Sequence, residues 1–436
     1  MPNNNRRFLW FTAALLFSSN GAFAAPEVNA PIAAHTSAIG APVNRAEDSK
    51  DNGWDLLMRA YEIRPEKLRG FDFFENMFDF SAGYTPESIL VMRAYTDANA
   101  ESLRLINEAL KLSLARPARA PQFMDGILLD EQRRKLHELG RMMIQRARVQ
   151  AADEDWRGAF ETNLDIVELG VKTQLGGMPS DVIKGGTIEW SARTELRRIL
   201  PRFDAALARE ATTRLLALDR AHPSYADILR MEKRRRLERG INWFDIGLTK
   251  EERARRGTPE TKAMEAEYSA IMDAAIERAH QPYNSTLPPI ALPDNVLILG
   301  LVSDFLSGPP FPKPQFLGYE KFERNRNGNQ MLAVAFALQS YSAEHKKYPD
   351  QLDTLVPQYL EAVPVDVFSP TRQPLQYRLT DTDYCLYSVG LDGIDDKGKL
   401  SLTAIKPDRP FSMNLQATEH FLLDESKGDI VFGSNG

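Results

Sequence analysis

Ten residues near the C-terminus, Tyr387-Ser388-Val389-Gly390-Leu391-Asp392-Gly393-Ile394-Asp395-Asp396, are the best chemical candidate in the chain. Asp392, Asp395 and Asp396 are closely spaced carboxylates, and Gly390 and Gly393 let the backbone turn between them. Calcium takes roughly six to eight oxygen ligands at adaptable angles, which such a loop can supply in a structural rather than a catalytic role. The run does not follow the EF-hand pattern, and a solvated Asp-Gly turn accounts for the same residues.

Other chemistries find less support. The histidines, His35, His137, His222, His280, His345 and His420, are never closer than 58 residues in sequence. No His-Glu-x-x-His pair grips zinc from one helix, and no Gly-x-Ser-x-Gly elbow presents a serine. Each histidine is expected to be an isolated surface or capping residue. Asp72, Glu75 and Asp79 fall at helical spacing among Phe71, Phe73, Phe74, Phe78 and Phe80. Two carboxylates in an aromatic groove would suit an exported hydrolase acting on saccharides. A packed helix end with a wet acidic face fits the same pattern. The basic run Lys233-Arg234-Arg235-Arg236 is flanked by Glu232 and Glu238, an ordinary charge mixture for a solvent-facing helix. Cys385 has no cysteine partner and reads as a small buried hydrophobe.

The address comes from the first residues. Arg6 and Arg7, ten apolar-core residues from Phe8 to Phe17, and Ala22-Phe23-Ala24 before Ala25 form a secretory signal peptide over 1–24. A spanning helix needs roughly 20 apolar residues, so no transmembrane span is expected after cleavage, and the protein is expected to be periplasmic or secreted. Removing the two arginines takes the formal charge from -6 to -8. An acidic exported chain is a poor partner for nucleic acid.

Behind these candidates stand the elements that must position them. Residues 25–50 are Ala-, Pro- and Asn-rich and read as a flexible leader. From 51 to 280 the pattern is helical almost throughout: Ser88–Leu114, Asp130–Ala151, Asp155–Leu175, Thr187–Leu200, Ala205–Leu218, Tyr225–Arg239 and Thr249–His280. Thr249 with Glu252 fits a capping box at the last of these. Short links between amphipathic helices imply an array or bundle whose curved face is free for a protein partner. Leu139-Gly140 in one helix, with Asp155-Trp156 and Ala159 opening the next, resembles a tetratricopeptide hairpin, although Asn163 stands at its second aromatic position. Eight prolines between 281 and 318 break the helical pattern and mark a Pro-rich linker.

Residues 319–436 read as a helix laid on a small antiparallel sheet. Met331, Val334, Leu338 and Tyr341 stripe the helix, a short turn runs through Leu352, Leu355, Val356 and Tyr359, and Gln373–Leu379 with Tyr384–Gly390 form a hairpin. Asp429-Ile430-Val431-Phe432 is a last strand. The fold class is therefore mostly α with a C-terminal α+β domain.

Four features in order make 319–400 similar to the globular half of the major pseudopilins of type II secretion systems. They are Leu338-Gln339-Ser340-Tyr341, Tyr348-Pro349, Val363-Pro364-Val365-Asp366, and the Tyr387–Gly393 loop. That family's long apolar filament helix is missing here, because 319–330 is strongly polar, so a filament subunit is not expected. The resemblance implies calcium held by the Val389 carbonyl and Asp392. For the later carboxylate it leaves two registers, Asp395 or Asp396 in a short loop, or Asp429 across an insertion. It also suggests a non-catalytic binding or assembly protein associated with secretion or pilus-like machinery.

Overall fold

The computed structural model describes residues 52–65, 85–114, 125–239, 258–281, 283, 290, 317–380, 383–399 and 429–433. The segments expected to be a signal peptide (1–24) and a leader (25–50), the acids Asp72, Glu75 and Asp79, the expected Thr249–Glu252 box and most of 281–318 lie outside them. The described chain is mostly helical, with a three-stranded antiparallel sheet near the C-terminus. No helix among the described residues is long and apolar enough to cross a membrane.

The first helices are α1 (Gly53–Glu62), α2 (Pro86–Ala98), α3 (Ala100–Leu110), α4 (Asp125–Ala152), α5 (Trp156–Gln174) and α6 (Pro179–Ile199). Then come α7 (Ala205–Arg220), α8 (Tyr225–Arg239), α9 (Pro259–His280) and α10 (Leu317–His345). Their starts are set by short polar side chains that satisfy free backbone N–H groups. Asn52 accepts from Trp54, Thr85 from Ser88, Asp155 from Gly158, Asp204 from Leu207, and Thr258 from Thr261. Proline follows the cap at Pro86, Pro179 and Pro259, where its missing N–H costs nothing.

Two expectations shift in detail. The helix expected over Ser88–Leu114 is two, because the chain breaks at Asn99, whose side-chain amide turns back to the Tyr95 carbonyl. The helix expected from Thr187 begins at Pro179, and Gly185-Gly186 lie inside it. Gly185 fits there because a Cβ would meet the Gly170 carbonyl oxygen of α5 at 2.5 Å, and Gly186 faces Asn325 of α10.

Cross-helix contacts fix the directions. Arg133 meets Asp181 and Arg148 meets Glu195, so α4 and α6 run parallel. Arg157 meets Glu210 and Arg214 meets Glu161, so α5 and α7 run parallel. α10 then lies parallel to α6, with Asn325 beside Gly186 and Asn329 on Glu189. It lies antiparallel to α7, with Ser340 on the Ala205 carbonyl and Gln330 on Asp219. Thus α10 takes the place of the next helix in the α4–α7 array, although Gln330 is 111 residues beyond Asp219.

One apolar core joins these parts. Phe160, Leu164, Ile188, Leu196, Phe203 and Leu215 pack with Leu332 and Phe336 of α10. Phe203 stacks on Phe336 with ring centroids 5.3 Å apart. The opposite face of α10, with Met331, Val334 and Leu338, covers Leu352, Leu355, Tyr359, Tyr384 and Leu386 of the C-terminal part. α8 and α9 form an antiparallel pair, with Lys233 on Asp273, packed on Tyr319 and Phe322 at the start of α10.

The sheet has the order β1 (Gln376–Leu379), β2 (Tyr384–Ser388), β3 (Ile430–Gly433). Gln376 faces Tyr387 across the hairpin, and Tyr387 faces Val431 on the other side. β2 is buried along its whole length because α10 covers one face and a loop covers the other.

Candidate functional site

The acidic loop is that second cover. Cys385, Tyr387 and Val431 form a small apolar patch on the sheet's outer face. Gly398 closes over it with φ +75°, and a Cβ there would sit 2.6 Å from Cys385 Sγ. Only glycine meets both demands at once.

Carboxylates hold the loop in place. Asp429 accepts the Asp396 N–H on Oδ1 at 3.2 Å and the Gly398 N–H on Oδ2 at 2.6 Å. Asp395 accepts from Tyr387 Oη at 3.2 Å, from the Lys397 N–H at 2.9 Å and from Lys397 Nζ at 2.7 Å. Asp392 accepts the Ile394 N–H at 3.1 Å. Burial raises the Asp429 carboxyl above its ordinary value, and Asp395 and Asp396 add like-charge repulsion. The structure therefore brings Asp395, Asp396 and Asp429 into one electrostatic neighbourhood. Among the described residues no three acid, histidine or cysteine side chains converge at metal-ligand spacing.

Sequence reasoning missed the residue that anchors the loop's entry. Asp366 is fully buried and accepts from Ser388 Oγ at 2.7 Å, the Val389 N–H at 2.8 Å and the Phe368 N–H at 3.0 Å. Burial pushes its carboxyl up, against the pull of these donors. The Val389 amide is thus fixed by a residue 23 positions earlier.

A second polar centre lies inside the helical array. The Glu189 side chain on α6 is 0 % exposed and that of His222, in the link between α7 and α8, is 1 % exposed. His222 Nε2 lies 3.1 Å from each Glu189 oxygen, and Nδ1 lies 3.0 Å from the Asp219 carbonyl oxygen. Glu189 also accepts from Gln174 Nε2 at 2.6 Å and from Asn329 Nδ2 at 2.9 Å. Asn329 Oδ1 accepts from Arg193 at 2.8 Å. Asp219 accepts from Gln330 at 3.0 Å and Arg326 at 3.3 Å. Four helices, α5, α6, α7 and α10, contribute to this network.

Its electrostatics are those of a buried ion pair. Burial works to raise the Glu189 carboxyl, but His222, Arg193 and Asn329 overcome it and leave it lowered from its ordinary value. Burial works to lower His222, and Glu189 with Asp219 reverses that, leaving it raised. His222 is therefore no isolated surface residue. The polar stretch 319–330 also changes meaning, because Glu320, Glu323, Asn325, Asn327 and Asn329 are buried. Asparagine at every second position from 325 to 329 was the available signal, since a surface helix rarely prefers it to lysine or glutamate.

On α5, burial pushes Asp165 up to about 6, with Glu168 and Glu161 adding repulsion and Arg214 and Arg146 opposing it. Arg214 pairs with Glu161 at 2.7 Å, which ties this acidic stripe to α7.

No protein-family model matches the chain, and no curated protein or solved structure matches it.

Proposed function

We propose that this chain is an exported, non-catalytic binding and assembly protein, in which the helical array offers the partner-binding face and the C-terminal module is a second docking unit. One observation carries the reading. The carboxylate–imidazole cluster of Glu189, His222 and Asp219 has side chains at most 4 % exposed and is engaged by protein donors and acceptors. A general acid or base must reach a substrate proton directly or through one water. Groups closed in this way act as structural ties.

Helix packing favours a rigid scaffold. α10 belongs to the array's core and to the module's core at once, so a partner bound at one would sense the other as part of the same body. The pseudopilin-like order of elements in 319–400 points to secretion or pilus-like machinery as the setting, by resemblance alone.

The test is binding of the full mature chain to a purified major pseudopilin, measured by biolayer interferometry beside a reducing-sugar assay on polysaccharides. Saturable binding without sugar release supports the proposal. Release of sugar in proportion to enzyme, with no binding, would overturn it.

A further inference from the structure

We propose that His222 is a proton-operated latch that fastens the α7–α8 link to α6 only while its imidazole carries both protons. The argument rests on hydrogen-bond inventory. Nδ1 faces the Asp219 carbonyl oxygen, which only accepts, and Nε2 faces the Glu189 carboxylate, which when ionised only accepts. Neutral imidazole has one N–H, so it serves one of these partners and turns a lone pair toward the other. A buried contact of that kind carries the full cost of an unsatisfied group.

The charged groups around His222 among the described residues enter the balance. α6 supplies Glu189 and Arg193, α7 supplies Asp219, and α10 supplies Arg326 and Glu323, the last acting on Arg326 and Asp219. Gln174, Asn329 and Gln330 add neutral donors. Arg193 Nη1 is 3.9 Å from Glu189, so it softens the loss of the imidazolium charge without replacing its hydrogen bond. Phe322 meets the imidazole edge-on at 6.1 Å, and Tyr225 at the start of α8 lies 5.5 Å from the Phe322 ring. Releasing His222 therefore loosens the root of α8 and its contact with α10.

The sign follows from which state holds the proton. The folded pKa is raised above the ordinary imidazole value of about 6.5. Below about 6.5 the latch is fully closed, and the advantage is lost as pH rises through the raised value. Within that window each pH unit raises the local opening constant about tenfold.

Hydrogen exchange of the full chain, followed by mass spectrometry from pH 6 to 9 and corrected for intrinsic exchange, tests this. The expected result is an opening constant for 215–230 that climbs about tenfold per pH unit and then levels, while α4 and α5 stay constant. His222→Gln should abolish the climb. Glu189→Gln, which removes the charge that raises the imidazole, should shorten the climb, so that it levels at lower pH. Opening that is independent of pH in the wild type would overturn the latch. So would the same climb in His222→Gln, or an equal climb in α4 and α5. If His222→Gln does not fold, the wild type and Glu189→Gln decide.

Discussion

Gly170 of α5 and Gly185 of α6 meet backbone to backbone: a Cβ on Gly170 would lie 2.7 Å from the Gly185 carbonyl oxygen and 2.5 Å from Glu189 Cγ. This approach sets how deeply Glu189 sits, because its stem passes over Gly170 before the carboxylate reaches His222. Gly170→Ala must push the helices apart, since a carbonyl oxygen cannot swing aside as a flexible side chain does. We expect a loss of about 1–3 kcal/mol in urea unfolding. A variant as stable as wild type would show that the two helices can separate at Gly170 without cost.

Asp366 is expected to matter more than any carboxylate of the loop it supports. Asp366→Ala leaves Ser388 Oγ and the Val389 and Phe368 N–H groups without their acceptor, each at a cost of about 1–3 kcal/mol if it stays buried. Limited proteolysis should cut within 391–399 before the array is attacked. Cleavage at an unchanged rate would show that Asp366 does not anchor the loop.

These two cases mark what the sequence made readable. Helices with capped starts and apolar stripes, such as α5 after Asp155 and α7 after Asp204, are local patterns and were legible with their limits nearly right. The hairpin Gln376–Ser388 and the last strand were legible for the same reason. The inner network was not, because Glu189 lies 33 residues from His222 and 140 from Asn329. Nothing in local spacing announces such a meeting. Apart from the alternating asparagines, the polar residues at 319–330 carry an ordinary surface signal until a partner helix is known to cover them. In the sequence Asp366 is only the last residue of Val-Pro-Val-Asp, and its role depends on Ser388, 22 residues later.

Asp165 gives a pH dependence of the opposite kind to a salt-bridged acid. Its folded pKa, about 6, is above the ordinary carboxyl value of about 3.9, so the folded state holds the proton more tightly. Stability from this site is present below about pH 4 and is lost as pH rises to about 6. Asp165→Asn removes the buried charge and should therefore stabilise the chain at pH 7.5 by about 1–3 kcal/mol, with little gain at pH 4. Denaturant unfolding at both values checks it. An equal effect at both would assign the change to packing.

The calcium reading of the acidic loop carries a definite requirement. Asp395 already binds Lys397 through Nζ at 2.7 Å, so an entering cation must displace that ammonium. The carboxylates of Asp429 and Asp392 would have to keep their backbone donors while offering their remaining lone pairs. We propose calcium here as a structural ion, on the strength of the pseudopilin resemblance, and the ammonium gives the proposal a sharp test. Calcium should raise the melting temperature of the full chain, magnesium should do so less because it accepts adaptable ligand angles poorly, and Asp392→Ala should abolish the rise. Lys397→Ala should enlarge it, since a competing cation is gone. If both wild type and Lys397→Ala melt at the same temperature with and without calcium, the carboxylates serve the sheet's cover alone, as acceptors for backbone N–H groups.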